Sequence, residues 1–277
     1  MAALEKADGA QALDRALTLL RLIGARSKHG LRLTEIVAQS GLTKPTVHRM
    51  LRALERNGFV EQNPATRLYH LGPEAFVLGV LATERFGIHR AAAGALARLS
   101  AASQDTVFLS VRRDSHAVCL ERQEGSFPIK THVLNAGDRH PLGIGAGSLA
   151  ILSAMDDAEV EAVLEQNAAE MAASYPTFSA ELLRDEVAVT RGQGFAFNPG
   201  RLLAGSWAVG VAVLDAGGSC LGALSISAIE SRLGEDRRIE LAALLKDEAQ
   251  RLSQRLARPE PLAAGIEPAR PPLRMRK

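Results

Sequence analysis

Pro45 constrains this chain more than any other residue. Proline lacks a backbone N–H and its ring clashes with the preceding turn, so within a helix it is admissible only at the start. Thr43, a good N-cap residue, stands just before it, and a helix is therefore predicted to begin at Lys44. At about 100° per residue, Val47, Met50, Leu51 and Leu54 fall on one face, with Pro45, Arg49, Arg52 and Arg56 opposite, flanked by Thr46 and His48. One face is fit for a core and the other is basic.

A basic face by itself is also what an ordinary solvated helix carries, so the flanking segments decide its meaning. Upstream, Leu33–Ser40 reads as a short amphipathic helix with Leu33, Ile36 and Val37 inward, ended by Gly41, which suits a left-handed C-cap. Helix, tight turn and basic helix make a helix-turn-helix, whose second helix enters the DNA major groove. Downstream, Gly58 ends the basic helix, Phe59–Gln62 reads as a strand, Asn63–Thr66 as a turn and Arg67–Leu71 as the returning strand. That hairpin is a wing with Arg67 near its tip.

These segments resemble a known family. Gln11–Leu17, Leu33–Ile36, Gly41–Arg49, Gly58–Val60 and Tyr69–Gly72, in that order, are similar to the winged helix-turn-helix of the IclR family of bacterial transcription regulators. The resemblance implies that Lys44, Pro45, Thr46, His48, Arg49, Arg52 and Arg67 meet duplex DNA, at an inverted-repeat operator bound by a homodimer or a dimer of dimers. Ala12 and Arg32 depart from the family pattern, each standing where a helix-capping polar residue is usual.

The chain has 277 residues, enough for two domains, with 47% hydrophobic and 23% charged residues. Its net charge of +2 is unevenly spread: residues 1–79 hold 11 Lys and Arg against 7 Asp and Glu, residues 80–250 hold 15 against 22, and residues 251–277 hold 7 against 2. The amino end is the part suited to a polyanion. Cys119 and Cys220 lack any zinc-binding spacing, so no metal, cofactor or disulfide framework is expected. The early apolar stretch is broken by Arg21 and preceded by acids, and no run reaches about 18 apolar residues, so a cytoplasmic protein without a membrane span is expected.

The expected organisation is a winged domain with the start of a linker helix over 1–80, a second domain over 81–257, and a Pro- and Arg-rich disordered tail over 258–277. In the second domain, helices are read at 90–102, 148–155, 156–172, 179–193 and 236–256. Strands are read at 106–111, 117–121, 127–134, 207–214 and 220–227. Helices around an antiparallel sheet make an α+β fold. Gly143-Ile144-Gly145-Ala146-Gly147 lacks a P-loop ending, and its bare N–H groups before a helix suit a carboxylate better than a nucleotide.

The family resemblance extends here, to an effector-binding domain similar in fold to GAF domains. It implies a small organic acid as effector, meeting Gly145 and Ala146 before the helix, Asn198 after the Gly-Phe turn, Ala208 on the next strand, and Ser225 and Ser227 on the last. Asn198 replaces the family's acid and Ala208 its Cys, which implies a larger and less acidic pocket, with Trp207 as an aromatic wall. Ser225 and Ser227, two apart on a strand, share a face, and core-facing hydroxyls bonded to backbone are the alternative. Two other functions remain open. One is a regulator without a ligand; the other is an enzyme using His116, His132 or His140 as base with Cys119 or Cys220 as nucleophile, although none has an activating partner at recognisable spacing, so no catalytic residue is expected.

Overall fold

The computed structural model of the chain describes residues 10–26, 29–83, 87–131 and 133–257. The tail expected to be disordered lies outside the described residues. The amino-terminal part holds three helices, α1 (Gln11–Ala25), α2 (Leu33–Ser40) and α3 (Lys44–Arg56), then a hairpin of β1 (Val60–Gln62) and β2 (Tyr69–Leu71). Gly41 ends α2 at φ 66°, a conformation that favours glycine, and Pro45 lies in the first turn of α3. Thr43 occupies the N-cap position, but its hydroxyl meets Thr46 Oγ1 at 2.9 Å instead of a backbone N–H. At α2, where Arg32 offers no acceptor, the Glu35 carboxylate reaches back to the Arg32 N–H at 2.7 Å and supplies half of a capping box.

Leu19, Ile23, Leu31, Ile36, Val47, Met50, Leu51, Val60 and Tyr69 form the core of this part. The spacing of Leu13, Ala16, Leu17, Leu20 and Ile23 predicts one apolar stripe of α1 packed under the helix-turn-helix, and that stripe is only partly buried. Ile23 is inside, but Leu13 and Leu17 are 60% and 37% exposed, and Leu19, off the stripe, is buried in their place. The helix has two apolar edges. One enters the core, and the other, with Leu13, Ala16, Leu17 and Leu20, lines an open groove against Met50, Leu54 and Phe59 of the α3 side. The wing is tied in by Leu31, which exchanges both backbone hydrogen bonds with Tyr69 at 3.0 and 2.8 Å.

Helix α4 (Pro73–Thr83) follows and is apolar on every side, with Phe76, Val77, Leu78, Val80 and Leu81 all exposed. The second part comprises α5 (Ile88–Ser103), β3 (Thr106–Arg113), β4 (His116–Gln123), β5 (Arg139–Pro141), α6 (Ala146–Ser153), α7 (Asp157–Ser174), α8 (Ala180–Gln193), β6 (Ala196–Asn198), β7 (Ser206–Leu214), β8 (Cys220–Ile229) and α9 (Glu235–Ala257). Asp156 and Ser179 cap α7 and α8 by accepting from Glu159 N at 2.8 Å and Leu182 N at 3.1 Å, and Gly194 ends α8 at φ 74°. Among the described residues the strands of this part form one antiparallel sheet in the order β5-β4-β3-β8-β7-β6.

Strand alternation separates the two faces. Val107, Leu109, Val209, Val211, Val213, Leu224 and Ile226 pack with α5 and α9, whereas Ala208, Ala212 and Ala223 face α6, which is buried along its whole length. Gly210 lets the sheet come close to that helix, because a Cβ there would stand 2.6 Å from the Ala146 carbonyl carbon. On the other face, buried Glu248 of α9 takes a bidentate pair from Arg98 of α5 at 2.8 and 2.7 Å.

The strand expected at 127–134 does not form among the described residues of that stretch. Pro128 cannot donate to a ladder, and the edge of β4 is taken by β5 through His116–Pro141, Ala117–His140 and Val118–Arg139. The side chains of the stretch instead have separate destinations: Phe127 lies beneath the Arg232 guanidinium at 3.8 Å, Thr131 bonds Ser227, and Val133 and Leu134 close over the inner face of the sheet.

Candidate functional site

Two places in the molecule carry chemistry. The first is the outer face of α3 with the wing. Lys44, Pro45, His48, Arg49, Arg52 and Arg67 are exposed, and Thr46 is half-buried through its contact with Thr43. Arg67 sits at φ 61° beyond the turn, which Asn63 fixes by accepting from Ala65 N and Thr66 N at 2.9 and 3.0 Å. Among the described residues none of Lys44, Arg49, Arg52 and Arg67 has a carboxylate partner. The second part differs sharply, since Arg112, Arg122, Arg184, Arg191, Arg201, Arg232 and Arg237 each hold an Asp or Glu. A row of cations without carboxylate partners on an exposed helix face is what a phosphate backbone requires.

The second place is a cavity at the amino end of α6. Cross-strand register builds its floor in two rows, Asn198–Ala208–Ser227 and Gly210–Ser225–Phe108. Gly145 turns into α6 at φ 82°, and no side chain caps the helix, so its first N–H groups are open. Gly147 brings this end onto Ser225, whose Oγ would lie 3.0 Å from a Cβ at that position. The walls are Phe108, Ser110, Val133, Leu134, His140 and Leu202, around a cavity of about 40 Å³. The cavity is therefore narrow, and among the described residues no carboxylate lines it.

Of the seven residues read from sequence for an effector, Gly145, Ala146, Asn198, Ala208, Ser225 and Ser227 come together here. Trp207 does not. Adjacent strand residues point to opposite faces, so Trp207 lies on the α9 side, edge-on to Phe197 at 5.3 Å with Arg238 6.0 Å from its ring. The walls come instead from Phe108, Leu134 and Leu202, which the sequence reading did not single out.

The two serines also differ. Ser227 Oγ accepts from Thr131 Oγ1 at 2.9 Å, donates to the Trp207 carbonyl at 3.2 Å and lies 3.0 Å from Ser206 Oγ, so it is largely occupied. Ser225 and Ser110 have no hydrogen-bond partner among the described residues. Asn198 accepts from Arg201 N through Oδ1 at 3.0 Å, which leaves its NH₂ open.

The thiols lack the environment of a nucleophile. Burial pushes Cys119 up to about 12 and also pushes Cys220 up, whereas an activated cysteine is lowered. His116 is held by Glu170 at 2.9 Å and Ser115 at 3.1 Å, and His132 lies outside the described residues. Among the described residues no group of three or more His, Cys, Asp and Glu could hold a metal ion, and no helix is long and apolar enough to cross a membrane.

The model of the IclR helix-turn-helix domain matches residues 12–64, and that of the bacterial transcriptional regulator IclR C-terminal domain matches residues 80–254. The chain belongs to the IclR family of bacterial transcriptional regulators. Among its IclR relatives is the HTH-type transcriptional regulator KipR of Bacillus subtilis, 28% identical over 242 residues, which covers 87% of this chain and 95% of KipR. A crystal structure of an IclR transcriptional regulator from Silicibacter superposes with a TM-score of 0.70 at 26% identity, over 88% of this chain and 96% of that one. An IclR homologue from Microbacterium hydrocarbonoxydans, crystallised in complex with 4-hydroxybenzoate, has a TM-score of 0.72 at 17% identity, covering 89% of this chain and 99% of that one.

Proposed function

We propose that the chain is a transcriptional regulator that binds an inverted-repeat operator as a dimer, and that a small organic acid in the α6 cavity changes its affinity for that operator. The observation that carries the effector half is the set of open donors at one point. Bare N–H groups at the start of α6, the Ser225 hydroxyl and the Asn198 amide face a cavity with no carboxylate of its own. A carboxylate answers all of these, and the helix dipole favours it. The narrow walls favour a flat or slender acid, a class to which the 4-hydroxybenzoate in the Microbacterium relative belongs.

The dimer half rests on α4. Five large apolar side chains are exposed on a helix of 11 residues, more than a solvated linker carries. Pairing through it would set two α3 helices against two half-sites related by a two-fold axis.

The test has two arms. Footprinting should protect two inverted half-sites about one helical turn apart; protection of a single unrepeated half-site contradicts the dimer. The double variant Ser225→Ala with Ser227→Ala should lose the response to acid while retaining acid-free operator binding. Ser225→Ala should carry the larger loss, because Ser227 is already bonded within the protein. A double variant that responds with wild-type affinity moves the effector site elsewhere.

A further inference from the structure

One polar group of the cavity wall is used neither by the fold nor by the carboxylate site. His140 is 3% exposed, its ring belongs to the wall, and among the described residues its buried Nδ1 has no hydrogen-bond partner. Burial, with His116 adding to it, holds the imidazole down at about 4, so it is neutral near pH 7, with one N–H and one lone pair. Whichever ring nitrogen carries the proton, Nδ1 is left without a partner. A polar atom buried in that way is costly and calls for a reason.

The other open groups around the cavity are the amides of Ala146 and Gly147 and the Asn198 NH₂, which donate, and the Ser110 and Ser225 hydroxyls, which can donate. A carboxylate held by those groups is not free for His140 Nδ1, whereas a hydroxyl, donor and acceptor at once, answers that nitrogen in either tautomer.

We propose that the effector carries a hydroxyl in addition to its carboxylate, that His140 Nδ1 hydrogen-bonds this hydroxyl, and that His140 thereby selects hydroxy acids over their unsubstituted counterparts. This rests on the effector reading above and narrows its ligand class. Asn198 and the α6 amides hold the acid end, and His140 reads what lies beyond it. Phe108, Leu134 and Leu202 pack on the apolar body between.

The test is calorimetric titration of the full chain with matched acids: propionate against lactate, and benzoate against 2-, 3- and 4-hydroxybenzoate. The proteins are the wild type, His140→Phe, His140→Asn and the Ser225→Ala/Ser227→Ala double variant. Wild type should bind at least one hydroxy acid roughly tenfold or more tighter than its partner without the hydroxyl. His140→Phe should erase that preference while still binding the unsubstituted acid, and His140→Asn, which keeps an acceptor oxygen, should retain part of it. A preference that survives in His140→Phe, or no preference in the wild type, overturns the role of His140. Equal loss of both members of a pair in both His140 variants marks a structural role and also overturns it. In each of those cases the acid site itself stands if the double variant loses affinity for the unsubstituted acid. Failure of every acid to bind wild type, or unchanged affinities in the double variant, overturns the effector reading and this inference with it. Operator binding by each variant reports that the fold is retained.

Discussion

His140 also makes stability depend on pH. Its folded-state value, about 4, lies below the ordinary histidine value, so the unfolded chain binds the proton more readily. The stability from keeping the ring neutral is fully present above about pH 6.5 and is lost as pH falls toward 4, by on the order of 3 kcal/mol. Urea unfolding of wild type and His140→Asn across that range should give curves that converge as the pH falls, and parallel curves would contradict it. On α3, the exposed cations divide by position. Arg49 lies outward in the second turn of α3 and Arg67 on the wing, and the proposed function assigns base edges to the first and phosphate to the second. Arg49→Ala should cost about 1–3 kcal/mol and relax sequence preference, whereas Arg67→Ala should weaken all sequences alike and lower the salt slope by about one unit. Equal loss on specific and random DNA for Arg49→Ala would reverse that division. At this scale the sequence was legible where spacing alone decides direction, as for Ser225 and Ser227. Trp207 was misplaced against the same rule, since residues one apart on a strand cannot share a face with Ala208. Phe108 and Ser110 were not legible, because they reach the cavity only through the β3–β8 register, which no local pattern encodes.

Among the elements, α3 was readable because Pro45, its apolar face and Gly41 each act locally. Helices α7 and α8 were readable for a similar reason, with Asp156, Ser179 and Gly194 marking their ends. The stretch 127–134 was misread because its apolar residues have the density of a strand, while Pro128 withholds a ladder donor and β5 pairs the start of β4 in its place. α1 was misread in rotation, since an exposed apolar edge and a buried one look alike in sequence. The exposed edge of α1 and the surface of α4 both invite a partner. Phe76→Glu with Leu81→Glu should leave affinity for an isolated half-site unchanged and lower affinity for the inverted repeat at least about tenfold, since linked half-sites gain from effective concentration. Unchanged binding of the inverted repeat would place the pairing surface elsewhere.

At the scale of the molecule, the proposed function pairs two anionic ligands with two sets of groups that lack partners among the described residues, the cations of α3 and the wing and the donors around the α6 cavity, and α4 lies between the two parts in the chain. The architecture of both parts could be anticipated from local signals and from the family pattern. The identity of the proposed acid could not, because the cavity is built from side chains of β3, β5, α6, β6, β7 and β8 meeting at one point. If the acid shifts an equilibrium that the operator also senses, the coupling must act equally in both directions. The decisive measurement is the affinity of the full chain for its operator with and without the tightest-binding acid of the panel, together with the affinity for that acid with and without operator. The operator affinity should change by a factor of about 5 to 150, and the acid affinity by the same factor. An acid that binds in the cavity while operator affinity stays the same would contradict the regulatory account.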